Sequence, residues 1–335
     1  MATTIGAREF DRLREFLERE TSISLGDDKA YLVETRLSEI MSAHGIGDYG
    51  ALLVALQGDR PRGVRDLVID AMTTNETLWF RDGAPFELFR DHFLPAWAGE
   101  IAAGTRQKIR IWSAACSSGQ EPYSLAMTYN DVARRFPALR PECLEIVATD
   151  LSDSALASAR SGSYGGLALQ RGLPDGCLER HFTPAADGRY VVRREVRDRV
   201  SFRKFNLRDS FITLGSFDMV LARYVLIYFQ DEFKREVLRK AHGALERGGA
   251  LFLGSSESLP AAVPGFAMVR RGRVTWYQKS EVVARRLTVD AASSIPKPTP
   301  VPVPAVPAPP KSTTPDSDMA ALLKRLQDLN ALHNK

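Results

Sequence analysis

Arg81 closes the stretch Asn75-Glu76-Thr77-Leu78-Trp79-Phe80-Arg81 and offers a permanent charge on a planar donor fork, the shape that grips a carboxylate. Asn75 and Thr77, just ahead of it, carry amide and hydroxyl groups suited to the ammonium and carboxylate of an amino acid. Asp150 ends the apolar run of residues 143–149, and an acidic residue closing the second strand of a βαβ unit is where a ribose hydroxyl pair is usually held. Residues 113–119 are all small, and they lead into Gln120-Glu121-Pro122-Tyr123-Ser124. Small side chains let a ligand approach the main chain, and a helix beginning near Gln120 would aim free N–H groups and its positive dipole end at that ligand.

These residues need a doubly wound sheet to bring them together. Ile109 and Ile111 supply the buried face of a strand before the small-residue turn, and Pro122 suits a first helical turn. Asp150 lies about 30 residues beyond the turn, against roughly 20 in dinucleotide-binding folds, and the turn is not G-x-G-x-x-G. NAD is therefore disfavoured, and S-adenosylmethionine is the natural candidate. A further buried strand, residues 217–222, runs into Arg223-Tyr224-Val225-Leu226-Ile227-Tyr228-Phe229, and such a strand end faces the ligand crevice. A helix over 231–245, a strand over 250–254 and a hairpin around Arg271-Gly272 complete the pattern.

Residues 164–206 break the α/β alternation. Asp187-Gly188 signals a hairpin, and with the strand at 200–205 it reads as a small antiparallel β insertion at about 180–206. Residues 189–208 hold eight basic side chains against two acidic ones, which could dock an acidic partner or be a solvated strand face.

At 335 residues, 44% hydrophobic and 26% charged, the chain has room for two domains and a tail. Residues 1–72 read as an N-terminal helical domain, with stripes Phe10/Leu13/Leu17, Leu32/Val33/Leu37/Ile40/Met41, Leu52/Leu53/Leu56 and Val64/Leu67/Val68/Ala71. Residues 73–107 form a linker carrying part of the site, and 108–280 the sheet domain. A Pro-rich spacer follows over 281–316. Residues 317–335 read either as an amphipathic helix that would need a partner or begin a repeat module, or as a disordered tail. No apolar run approaches the roughly 18 to 20 residues of a membrane span, and no signal peptide is visible, so a cytoplasmic protein without membrane insertion is expected. Three cysteines and five histidines show no metal or disulfide spacing. A net charge of +4, without regularly placed aromatics, argues against nucleic acid as a partner.

Five ordered motifs resemble the CheR-type chemotaxis receptor methyltransferases: residues 75–81, 114–124, Ala148-Thr149-Asp150-Leu151-Ser152, Phe205-Asn206-Leu207 and Val225-Leu226-Ile227-Tyr228-Phe229. The resemblance spans about residues 7–280. It implies an α/β fold in which an N-terminal helical domain precedes a doubly wound methyltransferase sheet with a small antiparallel β insertion. It also implies S-adenosylmethionine-dependent methylation of glutamates on the cytoplasmic helices of chemoreceptors. Asn75, Thr77, Arg81, Glu121, Asp150, Asn206, Leu207 and Arg223 would surround the cofactor, and Arg81 and Tyr228 would lie near the transferable methyl. A glutamate, with a solution pKa near 4.3, is already an anion at neutral pH, so its attack on a sulfonium methyl needs no general base.

Departures from the resemblance also carry information. Tyr224 stands where the family usually has asparagine, and the helix around Arg36 lacks the further arginines thought to meet an acidic receptor. The short loop at Asp187-Gly188 is similar to that of members that need no receptor C-terminal pentapeptide. Two other readings compete: a methyltransferase on another substrate, disfavoured because Ala222-Arg223-Tyr224 is not the Asn/Asp-Pro-Pro-Tyr of amino-group enzymes, and a noncatalytic adaptor that binds cofactor.

Overall fold

The computed structural model describes residues 4–58, 63–260 and 263–280. The Pro-rich spacer and C-terminal helix expected from the sequence lie outside them. The described residues hold ten strands: β1 (Ile109–Ala114), β2 (Leu144–Asp150), β3 (Ser163–Tyr164), β4 (Phe182–Pro184), β5 (Tyr190–Val192), β6 (Val200–Lys204), β7 (Phe217–Ala222), β8 (Leu245–Leu253), β9 (Phe266–Arg271) and β10 (Val274–Lys279). Seven of them form one sheet in the order β6-β2-β1-β7-β8-β10-β9. The first five are parallel, β10 runs antiparallel to β8, and β9 pairs antiparallel to β10.

Side chains alternate across this sheet as a pleated strand requires. Ile109 and Ile111 face a cluster containing Tyr123, Tyr129 and Trp97, whereas Trp112 and Ala114 face one containing Val237, Leu238 and Phe217. Burial on both faces explains why β1, β2 and β7 read as nearly continuous apolar runs.

Two sequence expectations need correction here. The strand at 200–204 does not belong to the insertion: β6 pairs in parallel with β2, from Ile146 opposite Val200 to Asp150 opposite Lys204, as an edge of the main sheet. The small antiparallel sheet is instead β3-β5-β4, so the insertion begins earlier, by Ser163. Nor is 73–107 a linker throughout. Helical residues Ala84–Leu88, a π-helical turn Phe89–Phe93 and helix Leu94–Ala102 bury Phe86, Phe89, Leu94 and Trp97 in the core beside β1. Pro95 has no N–H to give, and the preceding turn widens so that Leu94 N–H bonds Phe89 C=O.

The N-terminal domain comprises α1 (Ala7–Thr21), α2 (Ala30–Ala43), α3 (Tyr49–Gln57) and α4 (Val64–Met72) around their own apolar cluster. The expected stripes supply much of it, but Leu67 is 41% exposed and Leu32 lies outside the cluster, while Phe16, Tyr49 and Met72 help to fill it.

Candidate functional site

Asn75, Thr77, Arg81, Glu121, Asp150, Asn206, Leu207, Arg223 and Tyr228, separated by up to 153 positions in sequence, line a single cleft of about 940 Å³ including its open mouth. It lies where β1, β2 and β7 end, the place at which open α/β sheets bind ligands. Thr21 and Ile23, from the end of α1, also line it.

Backbone strain gathers at this cleft. Among the described residues, the non-glycine residues with positive φ are Ser22 (60°), Phe80 (47°), Asp82 (69°), Ala115 (58°), Ser117 (51°) and Tyr224 (57°). Ala115, Ser117 and Tyr224 line the cleft, Phe80 and Asp82 flank Arg81, and Ser22 sits between Thr21 and Ile23. Each such residue costs about 1–3 kcal/mol, a burden proteins carry chiefly where function requires the geometry. Gly119, at φ 94°, ends the turn, and a Cβ there would meet the Ala159 side chain at 3.0 Å. This close approach seats the helix Gln120–Ala133 with its N-terminus toward the cleft.

Asp150 is buried at the end of β2, where one carboxylate oxygen accepts the Ser117 N–H at 2.7 Å and the other the Ser152 N–H at 2.9 Å. Burial pushes its pKa up, and the backbone N–H groups of Ser152, Ser117 and Leu151 pull the other way. The carboxylate thus ties the small-residue turn to β2.

Arg223 is the electrostatic centre of the opposite wall. Its side chain is 1% exposed and pairs with Glu121 at 2.8 Å and Asp82 at 2.7 Å. Burial works against the charge, but the two carboxylates outweigh it and push the guanidinium pKa up. Arg223 also donates to the Arg81 carbonyl oxygen at 2.7 Å, and Glu121 accepts from the Ser113 hydroxyl at 2.8 Å. This network fixes where residues 81 and 82 cross the cleft.

The segment carrying Arg81 is anchored by Trp79, which is fully buried edge-on between Tyr164 and Phe182, with ring centroids 4.9 and 5.3 Å away. Its indole N–H bonds the Ala168 carbonyl at 2.8 Å. From the N-terminal domain, Arg36 donates to the carbonyls of Ala71, Met72 and Thr73, so its charge holds the entry to this segment. Ser117 Oγ donates to the Asn75 carbonyl at 2.8 Å and closes the segment onto the turn.

Several contributors escaped the sequence reading. Glu257 accepts the backbone N–H groups of Tyr224 (2.6 Å), Gly254 (2.8 Å) and Ile227 (3.2 Å), clamping the turn that carries Tyr228. No local pattern marks it. Asp82 could have been suspected as the acidic neighbour of Arg81. Asn206 lines the cleft, yet its side chain is engaged by the Glu20 carbonyl and the Arg208 N–H. Much of the basic segment is likewise committed internally: Arg189 to Ser163, Arg193 to Phe182 and Glu179, Arg199 to Asn130 and Pro141, and Lys204 to Asp153.

A parallel sheet with one antiparallel strand inserted near its edge, and an acidic residue closing β2 beside a small-residue turn, is the methyltransferase version of the α/β fold. The chain belongs to the CheR methyltransferase family: residues 75–274 match its SAM binding domain and residues 8–73 its all-alpha domain. It is 47% identical over 262 residues to chemotaxis protein methyltransferase 1 of Pseudomonas aeruginosa, covering 78% of this chain and 94% of the relative. It is 44% identical over 265 residues to chemotaxis protein methyltransferase Cher2 of Pseudomonas putida, covering 79% and 95%. The chemotaxis protein methyltransferase of Vibrio parahaemolyticus is 46% identical over 269 residues, covering 80% and 96%.

The cleft residues fit S-adenosylmethionine, the ligand of the matched domain. Asp150 offers a buried carboxylate to a ribose hydroxyl pair, and the positive φ values at Ala115 and Ser117 shape the turn of main chain that lines the cleft beside it. Asn75, Thr77, Arg81 and Glu121 offer both signs of polar group to an amino-acid end. Among the described residues no helix is long and apolar enough to cross a membrane, and no cluster could hold a metal ion.

Proposed function

We propose that this protein methylates glutamate side chains on the cytoplasmic region of chemoreceptors, forming glutamate methyl esters and S-adenosylhomocysteine in sensory adaptation. Bound S-adenosylmethionine supplies a sulfonium methyl open to in-line attack by an anion. The observation that carries the reading is Arg81: it lines the cleft with one hydrogen bond of its own among the described residues, Nη1 to the Glu76 carbonyl at 3.0 Å. Its remaining donors suit the substrate carboxylate, and the Tyr228 hydroxyl in the same cleft can orient that carboxylate without taking a proton.

Since the attacking glutamate is already ionised at neutral pH, these side chains act by holding it in register. Asn75, Thr77, Glu121, Asp150, Asn206, Leu207 and Arg223 serve the cofactor, with Asp150 on the ribose. We read the enzyme as independent of a receptor C-terminal pentapeptide, because the insertion hairpin is tight: Ala185 N–H bonds Arg189 C=O across Asp187-Gly188 at 2.8 Å. The test is transfer of a labelled methyl group to membranes holding the host's receptors, with the pentapeptide present or removed. Label in both supports the reading, loss on trimming removes the pentapeptide inference, and no label in either removes the function.

A further inference from the structure

Tyr224 follows Arg223 at the end of β7 with φ 57°, a conformation an aromatic residue rarely adopts. It is held there by Glu257, whose carboxylate takes the Tyr224 N–H at 2.6 Å and the Gly254 N–H at 2.8 Å. The turned backbone lays the phenol ring under Arg81, with the guanidinium carbon 3.6 Å from the ring centroid. Gly254 makes room for it, since a Cβ at that position would come within 2.9 Å of the ring. The far end of the ring is pinned as well. Its hydroxyl donates to the Asp82 carboxylate at 2.6 Å and lies 2.7 Å from Ser255 Oγ.

From this arrangement we infer that Tyr224 is a positioning residue for Arg81, setting the plane and direction of its guanidinium by stacking. The inference rests on the proposed function, because it takes Arg81 to receive the substrate carboxylate. The physical need is plain. A guanidinium with a single hydrogen bond of its own, on a long side chain, would otherwise spread over many rotamers, and a carboxylate would have to order it on binding. A ring face at van der Waals distance removes that freedom, adds cation–π attraction and leaves the edge donors available. Asp82 couples the platform to Arg223, which holds the main chain of Arg81.

The experiment is a double-mutant cycle on the full chain, reading kcat/KM for receptor methylation and, by calorimetry, the affinity for S-adenosylmethionine. Asparagine tolerates the left-handed backbone, so Tyr224→Asn removes the ring without new strain, and Tyr224→Phe keeps the ring but not the hydroxyl. Tyr224→Asn is expected to lower kcat/KM for the receptor about tenfold, by a larger factor than it changes cofactor affinity, and Tyr224→Phe to lose less than about threefold. In an Arg81→Ala background, Tyr224→Asn is expected to cost nothing further. Losses that multiply in the double variant, an unchanged rate in Tyr224→Asn, or a fall confined to cofactor affinity would each overturn the inference. Absence of transfer by the unaltered protein would overturn the proposed function first.

Discussion

Asn206, just beyond β6, donates its side-chain amide to the carbonyl oxygen of Glu20 in α1 at 2.8 Å, across the boundary between the sheet domain and the N-terminal domain. Nearby, Ser24 N–H bonds the Tyr228 carbonyl at 2.9 Å, and Ile23 bridges to Phe229. The end of α1 is thereby a wall of the cleft. Asn206→Ala is expected to cost about 1–2 kcal/mol in denaturant unfolding and to weaken S-adenosylmethionine binding, because the wall of Thr21 and Ile23 loses one of its ties and the cleft loses a lining side chain. Unchanged affinity would make the domain contact purely structural.

The raised pKa of Asp150 gives the cofactor site a pH dependence of defined sign. On the proposed reading the ribose hydroxyls would donate to the ionised carboxylate, so affinity should be full above the raised pKa and fall as pH drops through it, earlier in an acid titration than for an ordinary aspartate. For the fold alone the sign is opposite. The contribution to stability is present below the unfolded value and lost as pH rises through the folded one. Calorimetry across the acid range should find affinity falling in the unaltered protein, and weak, flat binding in Asp150→Asn.

Gly172 passes so close to the linker segment that a Cβ would lie 2.1 Å from the Trp79 carbonyl oxygen, at φ +86°. Gly172→Ala is expected to destabilise the protein by at least about 1 kcal/mol. Trp79→Ala should cost about 3–5 kcal/mol and lower transfer as well, since Arg81 depends on that anchor. Denaturant midpoints and methyl transfer measured on the same preparations check both.

Arg223 neutralises two carboxylates while almost wholly buried. Arg223→Ala would strand Glu121 and Asp82, at a cost of about 3–5 kcal/mol. Arg223→Lys should also lose stability, because a point charge cannot reach Glu121, Asp82 and the Arg81 carbonyl as the fork does. A lysine variant as stable as the unaltered protein would contradict this account of the wall.

Asp150 and the small-residue turn were legible because they sit at patterned places, a strand end and a strand-to-helix junction, whereas Glu121, Asn206, Leu207, Arg223 and Tyr228 were assigned to the cleft through the family resemblance. Strand β6 was misassigned because it is an edge strand whose residues are half-buried or exposed and partly basic, so it lacks the apolar run of β1. The wall built by Thr21 and Ile23 left no trace, since it depends on Asn206 meeting Glu20 across 186 positions. Glu257 was invisible for a similar reason: its three N–H partners are set by tertiary folding of a loop. The count of basic residues over 189–208 left a docking patch and a solvated strand face both open, and charge alone did not reveal how many of these residues hold carbonyl oxygens.

The proposed reaction requires a carboxylate acceptor received by Arg81, and the chemical stability of the transferred methyl group distinguishes an ester from any other product. Receptor membranes labelled from S-adenosylmethionine would be treated with mild base and the released methanol counted, with Arg81→Ala run alongside. The account predicts base-labile label that maps to glutamate-containing receptor peptides and falls sharply in Arg81→Ala. Label that resists base, or that forms equally well without Arg81, would contradict it.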